Sequence, residues 1–250
     1  MPASRTDPFS LEGKTILVTG ASSGIGRQIA LSCASAGARV IASGRDEVRL
    51  DAVVSQMNAS GHCSMPCDLL DDASVKDMAG KVGKIDGVVH SAGIAALAPL
   101  RLASRTHIQS QMELNYLGPL LLTQQLLLRN AIAGGGAVVF VSSISAHIGV
   151  HGVSAYGASK AALEAMARSL SVEVAKKKIR VNCLAPGLVE TPMLKAAREK
   201  LGSMDETLAK YPLGVGEPDD VANAAIFLLS PASRWITGTT LVLDGGHTVG

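Results

Sequence analysis

Tyr156 and Lys160 are the residues whose types and spacing best suit chemistry. They stand four apart in AYGASKAALEAMARSLSVEVAKK (155–177), the most strongly helical stretch, so both side chains share one face. A phenol titrates at about 10 in water and is a poor acid–base group at neutral pH. A neighbouring ammonium stabilises the phenolate and lowers that pKa. A tyrosine tuned in this way can give a proton to a carbonyl oxygen as hydride reaches the carbon, or remove it in reverse. The pair alone is weakly diagnostic, because Y-x3-K also occurs on ordinary helix surfaces.

A second constellation is TGASSGIG, Thr19 to Gly26. It joins the short β-branched run KTILVT (14–19) to a helical pattern that stops at Gly37. The N-terminus of a helix at the first strand–helix turn attracts the phosphates of a nucleotide through free N–H groups and the helix dipole. Gly20, Gly24 and Gly26 let the backbone turn sharply and approach a pyrophosphate. Their spacing is G-x3-G-x-G, neither the G-x-G-x-x-G fingerprint nor a P-loop.

The elements that must position these groups are legible along the chain. RVIAS (39–43) reads as a strand, and DEVRLDAVVSQM (46–57) as a helix capped by Asp46. A weak strand near 62–67 precedes a helix that Asp71 or Asp72 starts. DGVVHSAG (86–93) is a strand, and 104–131 is helical with a break expected near Gly118-Pro119. GGAVVFVSS (135–143) and IRVNCLAPG (179–187) are strands, EPDDVANAAIFLLS (217–230) is a helix, and TTLVLDGG (239–246) is a final strand. This alternation predicts an α/β fold: a single-domain, doubly wound, Rossmann-type, mainly parallel seven-stranded sheet with helices on both faces. Residues 1–250 are read as one dinucleotide-binding and catalytic domain. Residues 1–11 are expected to be a flexible tail, and the polar, irregular 188–216 segment a mobile substrate lid.

Composition narrows the partners. Of 250 residues, 47% are apolar and only 3% aromatic, so the core is aliphatic and stacking platforms for single-stranded nucleic acid are scarce. A net charge of +2 gives no reason to expect a nucleic-acid partner. Lys176 to Lys178 close a helical pattern and suit a solvated helix C-terminus. MPASRTDPFSLEGK has no apolar core, so neither a signal nor a transit peptide is expected. The most apolar stretch, 117–128, is interrupted by Pro119, Gln124 and Gln125, which argues against a membrane span. Cys33, Cys63, Cys67 and Cys183 lack zinc-site spacing. No metal is expected, and the thiols suit a reduced, cytoplasmic protein.

Several motifs in register carry a resemblance. TGASSGIG is similar to a TG-x3-G-x-G cofactor loop. Ser143 in VSSIS stands thirteen residues before Tyr156, and YGASK (156–160) matches Y-x-A-S-K. Asn115 lies in ELNYLG, Asp68 follows the third strand, and LAPGLVETPM (184–193) holds a Pro-Gly turn followed by Thr191. From about residue 11 to 246 the chain resembles the short-chain dehydrogenase/reductase family. The resemblance implies a catalytic set in which Tyr156 passes the proton and Lys160 lowers its pKa and binds the nicotinamide ribose. Ser143 would hydrogen-bond the substrate oxygen, and Asn115 would hold a water linking Lys160 to solvent. It also implies cofactor contacts from Gly20, Ser22, Ser23, Gly24, Ile25 and Gly26 in the first loop. Arg45, Asp68 and Leu69, then Ser91, Ala92 and Gly93, then Pro186, Gly187, Val189 and Thr191 would complete the set with Tyr156 and Lys160. Asp68 would contact adenine, and Thr191 the nicotinamide carboxamide. One departure stands out: the family's Asn-Asn-Ala-Gly is His90-Ser91-Ala92-Gly93 here. It puts local cofactor contacts in doubt, and His90 reads as a packed strand-end residue.

The expected reaction is hydride transfer between a nicotinamide and a ketone or secondary alcohol. NADP(H) is preferred over NAD(H), because Gly44-Arg45 stands where NAD enzymes place an acidic residue. A partly apolar pocket is expected from Ile144, His147, Val150, His151, Leu188, Met193 and Leu194. Two alternatives stay open: a 3-oxoacyl-carrier-protein reductase, favoured if Arg101, Arg105 or Arg129 form a basic mouth, and a non-catalytic cofactor sensor. Apolar residues such as Leu121, Leu127, Leu163 and Met166 on more than one helix face point to a homo-oligomer, expected as a tetramer.

Overall fold

The structure is a computed structural model that describes residues 7–201 and 204–250. Its strands are β1 (Thr15–Thr19), β2 (Arg39–Gly44), β3 (Cys63–Pro66), β4 (Ile85–His90), β5 (Ile132–Val141), β6 (Arg180–Pro186) and β7 (Thr240–Leu243). They form one sheet in the order β3-β2-β1-β4-β5-β6-β7, and every pairing is parallel. The helices are α1 (Gly24–Ser35), α2 (Glu47–Val54), α3 (Asp72–Lys81), α4 (Arg105–Met112), α5 (Gly118–Leu128), α6 (Ser154–Glu173), α7 (Pro192–Leu201), α8 (Asp205–Leu208) and α9 (Pro218–Leu229).

Apolar runs such as Ile16-Leu17-Val18 have no polar face, because alternate side chains meet a core on each side of the sheet. Ile16, Val18, Val40 and Val139 pack with Ile29 of α1, Leu50 of α2 and Val221 of α9. Leu17, Ile41, Val138 and Phe140 face the other way, onto Met78 of α3, Leu126 of α5 and Leu163 of α6. The connection after β1 runs to β2 on one side, and β4 then pairs with β1 on the other. The chain reverses direction across the sheet between β1 and β4, which opens a crevice at the C-terminal strand ends.

Local chemistry sets several boundaries. Asp46 accepts a bond from Arg49 N at 3.0 Å and Asp71 one from Ala73 N at 2.9 Å, so both carboxylates cap helices. The break expected at Gly118-Pro119 is instead a π-helical turn, Glu113–Leu117, between α4 and α5. Pro119 has no N–H to give the preceding turn, and one extra residue in the helix absorbs that loss. Strand β5 begins at Ile132, earlier than the glycine run suggests. The β4–β5 register shifts between Ile85 and Gly87. A Cβ on Gly136 would lie 2.7 Å from Asp86 O, so these glycines make a bulge within the strand.

Two expectations need correction. Of the tail expected over 1–11, residues 1–6 lie outside the described residues. The rest is tied down: Leu11 is fully buried, its N–H bonds Ala36 O, Pro8 O accepts from Ala232 N, and the Phe9 ring packs near Phe227. The 188–216 segment is not irregular throughout. Helices α7 and α8 lie within it, Val189, Leu194 and Tyr211 are buried, and Arg198 pairs with Glu190 through two hydrogen bonds.

Candidate active site

All the parallel strands end at one edge, so the loops after β1, β4, β5 and β6 gather there. Gly20 has φ +69°, and a Cβ there would lie 2.7 Å from Ala92 N. One on Gly26 would lie 2.3 Å from Gly20 O and 3.2 Å from Ser91 Oγ. Only glycine permits this approach of the first loop to Ser91-Ala92. Ser23, at the N-cap of α1, makes no side-chain cap bond, and the first turn holds no acidic residue. Its N–H groups and dipole therefore face the crevice uncompensated by a carboxylate, which fits a cofactor pyrophosphate.

On α6, Lys160 is buried and its Nζ donates to Val141 O at 2.8 Å. The ammonium lies 5.7 Å from the centroid of the Tyr156 ring. Burial lowers the Lys160 pKa to about 8. Tyr156 is pushed up by burial and drawn back by a hydrogen bond with Ser143. Ser143 Oγ accepts from Ser145 N at 3.2 Å, which leaves its proton free to donate. Tyr156 and Lys160 are thus brought together as the helical step implied and Ser143 as the resemblance implied, but the Tyr156 pKa stands above its ordinary value rather than below it.

Asn115 is near but differently engaged. Its amide donates to Ile94 O at 2.9 Å and Ser159 Oγ at 3.1 Å, and its carbonyl accepts from Ile94 N at 2.8 Å. It braces the segment after β4. Gly93 separates it from the cation: a Cβ there would lie 3.0 Å from Asn115 Oδ1 and 3.4 Å from Lys160 Nζ. Thr191 sits just before α7, where its hydroxyl donates to Val189 O and accepts from Leu194 N. A Cβ on Gly24 would meet the Thr191 methyl at 3.5 Å, so the loop after β6 lies against the first loop. Asp68 Oδ1 accepts from Leu70 N at 3.0 Å, holding the turn after β3. Arg45 is exposed at the end of β2 and makes no ion pair among the described residues.

Of the expected pocket residues, Ile144 and Leu194 are buried, while Val150, His151 and Met193 are exposed. His147 turns toward α6, where Nε2 lies 3.1 Å from Glu164 Oε1. Arg129 lies at the C-terminal end of α5, beside the start of β5 and away from the site. Sequence reasoning missed Glu164, a buried carboxylate that also accepts from Ser142 Oγ at 2.6 Å. The signal was present: Glu164 is four residues past Lys160, the same step that separates Lys160 from Tyr156. Tyr211 was also missed. Its hydroxyl accepts from Leu188 N at 3.1 Å, and its ring fills the space a Cβ on Gly187 would need.

A sequence family described as Enoyl-(Acyl carrier protein) reductase matches residues 20–248. The chain is 37% identical to D-threitol dehydrogenase of Mycolicibacterium smegmatis, over 96% of this chain and 95% of the relative. It is 40% identical to a 3-oxoacyl-[acyl-carrier-protein] reductase of Chlamydia pneumoniae, over 96% and 99%. A gluconate 5-dehydrogenase from Burkholderia cenocepacia, crystallised with NADP and tartrate, superposes with a TM-score of 0.90 at 30% identity, covering 98% of each chain. The chain belongs to the short-chain dehydrogenase/reductase family. It is an oxidoreductase, dependent on NAD(P) and acting on CH–OH groups.

This short-chain dehydrogenase/reductase replaces the family's first strand-end asparagine by His90. The ring is buried, stacked on Phe140 at 4.8 Å, with Nε2 2.9 Å from Thr123 Oγ1. Thr123 Oγ1 donates to Pro119 O, so His90 Nε2 carries the proton and donates to it, while Nδ1 has no hydrogen-bond partner among the described residues. Burial lowers the His90 pKa to about 3, so the ring is a neutral packing group. An unfolded histidine titrates at about 6.5, so below that pH the unfolded chain binds a proton that the native chain refuses. Stability is therefore lost as pH falls from about 6.5 toward 3, at about 1.4 kcal/mol per pH unit. His90→Phe should remove this loss. Urea unfolding at pH 7 and pH 5 should show the wild type losing about 2 kcal/mol more than the variant. Equal losses would refute the assignment.

Proposed function

We propose that this chain reduces ketones and oxidises secondary alcohols with a preference for NADP(H), and that Tyr156 passes the proton. The observation that carries the reading is the convergence of three groups: the Lys160 ammonium beside the Tyr156 ring, and the Ser143 hydroxyl on the Tyr156 oxygen. The nicotinamide, when bound, supplies or accepts the hydride. Gly20, Ser22, Ser23, Gly24, Ile25 and Gly26 would hold its pyrophosphate, Asp68 and Leu69 its adenine end, and Pro186, Gly187, Val189 and Thr191 the nicotinamide end. In reduction, Ser143 orients the carbonyl oxygen and Tyr156 protonates it as negative charge develops there. Lys160 stabilises the phenolate left behind. Asn115 keeps the segment after β4 in place beside Lys160.

The 40% likeness to a 3-oxoacyl-[acyl-carrier-protein] reductase favours a second reading, reduction of 3-oxoacyl thioesters. Of Arg101, Arg105 and Arg129, any of which could have formed a basic mouth for a carrier protein, Arg129 lies at the C-terminal end of α5, away from the site. Initial rates on polyols, simple ketones and 3-oxoacyl thioesters separate the two. We place the protein in the cytoplasm on the strength of its unpaired cysteines. No helix among the described residues is long and apolar enough to cross a membrane.

Tyr156→Phe should abolish turnover and leave cofactor affinity nearly unchanged, because only the hydroxyl carries the proton. Retention of more than a few per cent of kcat would sink the assignment. Arg45 has an open environment for a 2′-phosphate: Asp46 is occupied in capping α2, and Gly44 leaves room beside Ser22. One charge-assisted pair of roughly 1.5–3 kcal/mol gives a preference for NADPH of about one to two powers of ten in kcat/KM. Arg45→Ala should remove most of it by weakening NADPH alone. Equal loss with both cofactors would assign Arg45 to folding instead. The homotetramer is proposed on helix faces that the single chain leaves open: Leu163, expected among them, is buried in the core, but Leu121, Leu127 and Met166 are only partly buried, and Leu128 and Val172 are exposed. Light scattering at micromolar concentration should give four chains, and a monomer would refute it.

A further inference from the structure

Ser143 does not sit on α6 with Tyr156 and Lys160. It leads a 3-10 turn, Ile144–Ala146, that follows β5. The reaction needs its hydroxyl held against Tyr156, so the turn must be fixed to α6. Besides the Ser143–Tyr156 hydrogen bond and a long contact from Ser142 Oγ to Lys160 O, three contacts join the two. The first is backbone packing, since a Cβ on Gly157 would lie 2.5 Å from Ser145 O. The other two converge on one oxygen of α6. Glu164 Oε1 accepts from Ser142 Oγ at 2.6 Å and lies 3.1 Å from His147 Nε2. Ser142 immediately precedes Ser143, and His147 immediately follows the turn. Glu164 therefore grips the chain on both sides of the serine.

We propose that Glu164 is a positioning residue for the reaction, holding Ser143 against Tyr156 by clasping Ser142 and His147 onto the helix that carries the Tyr156–Lys160 pair. The helix places Tyr156, Lys160 and Glu164 on three successive turns of one stripe. The first two handle the proton, and the third fixes the donor that completes the site.

Burial and partnering favour this role over simple solvation. Glu164 is 4% exposed, and a buried carboxylate is tolerated only where donors face it. His147 keeps 37% of its side-chain surface open, yet spends its ring nitrogen on Glu164. Ser142 has a second acceptor in Lys160 O at 3.4 Å, longer than its bond to Glu164. The backbone of Ser142 is already held to β6 through Leu184 O at 2.7 Å. What the clasp adds is therefore the angle at which the chain leaves the sheet, and with it the direction of the Ser143 hydroxyl.

This inference rests on the reading that Tyr156 and Ser143 carry the reaction, and its test separates the two. Glu164→Leu removes both acceptor bonds. Glu164→Gln keeps a carbonyl oxygen that can accept both. His147→Ala cuts one arm at a half-open position that the fold can spare. The readouts are kcat and KM for the best alcohol substrate, NADPH affinity by fluorescence, and the thermal midpoint. A displacement of about 1 Å at a reacting group can cost up to roughly a hundredfold, so Glu164→Leu should lower kcat about ten- to a hundredfold and His147→Ala about tenfold. KM and NADPH affinity should stay within about threefold, and Glu164→Gln should keep at least about a third of kcat if geometry alone is at stake. Should Glu164→Leu fail to fold, Ser142→Ala and His147→Ala carry the test.

Wild-type kcat in folded His147→Ala and Ser142→Ala would overturn the proposal. So would a rise in KM without a fall in kcat in His147→Ala, which would make His147 a substrate contact. A parallel loss of kcat and NADPH affinity in Glu164→Leu would mark general damage and overturn it too. If Tyr156→Phe remains active, the reading of the reaction falls and this inference falls with it. If Tyr156→Phe is inactive while the clasp variants turn over normally, this inference alone falls.

Discussion

The Lys160 ammonium is held inside the protein with Val141 O as its hydrogen-bond acceptor, and the site is arranged around that bond. A buried cation loses several kcal/mol of hydration unless fixed dipoles replace the water. The carbonyl that answers it ends β5, so the bond ties the middle of α6 to the edge of the sheet. It also dictates the neighbours. Gly93 passes so close to Nζ that a side chain would crowd it, and Asn115 holds Ile94 from the far side. Burial draws the lysine down to about 8, which keeps a labile charge next to the phenol.

Parallel pairing explains why so many separate segments reach this point. A parallel strand must return to the starting end of the sheet before the next begins, so every loop that follows a strand emerges on the same side. The reversal between β1 and β4 then leaves a gap where no helix crosses. The glycine loop, Ser91 to Gly93, Ser143 and the Gly187–Thr191 segment all border that edge. Some of these segments are pressed together at distances only glycine tolerates, as at Gly20 against Ala92 and Gly26 against Gly20. The site is thus stiffened by backbone packing as well as by side chains.

His90-Ser91 shows how the family pattern is altered without losing the edge. An amide at position 90 would offer donors and acceptors on both sides. The imidazole offers one donor, to Thr123, and a flat face, to Phe140. Its other nitrogen has no partner among the described residues, a cost carried by the stacking and by the packing of β4 between β1 and β5. Ser91 keeps a small hydroxyl beside Gly26, where a longer side chain would meet the first turn of α1.

Much of this molecule was written locally. Apolar runs buried on both faces dictate a parallel sheet, and the four-residue step from Tyr156 to Lys160 holds on any helix. Glycines after β1 and aspartates at 46 and 71 act through their own backbone neighbourhood, so their roles were legible from the sequence. What depends on distant chain was not. The grip of Glu164 on Ser142 and His147 joins positions 17 to 22 residues apart. Leu11 reads as tail until Ala36 and the core close over it, and Tyr211 reads as loop until Leu188 and Gly187 meet it. The strand read from Gly135 begins instead at Ile132, because β4 supplies partners for the bulge that carries Gly134 to Gly136. A side chain's type limits what it can bond, and only the packed chain decides which partner comes within reach.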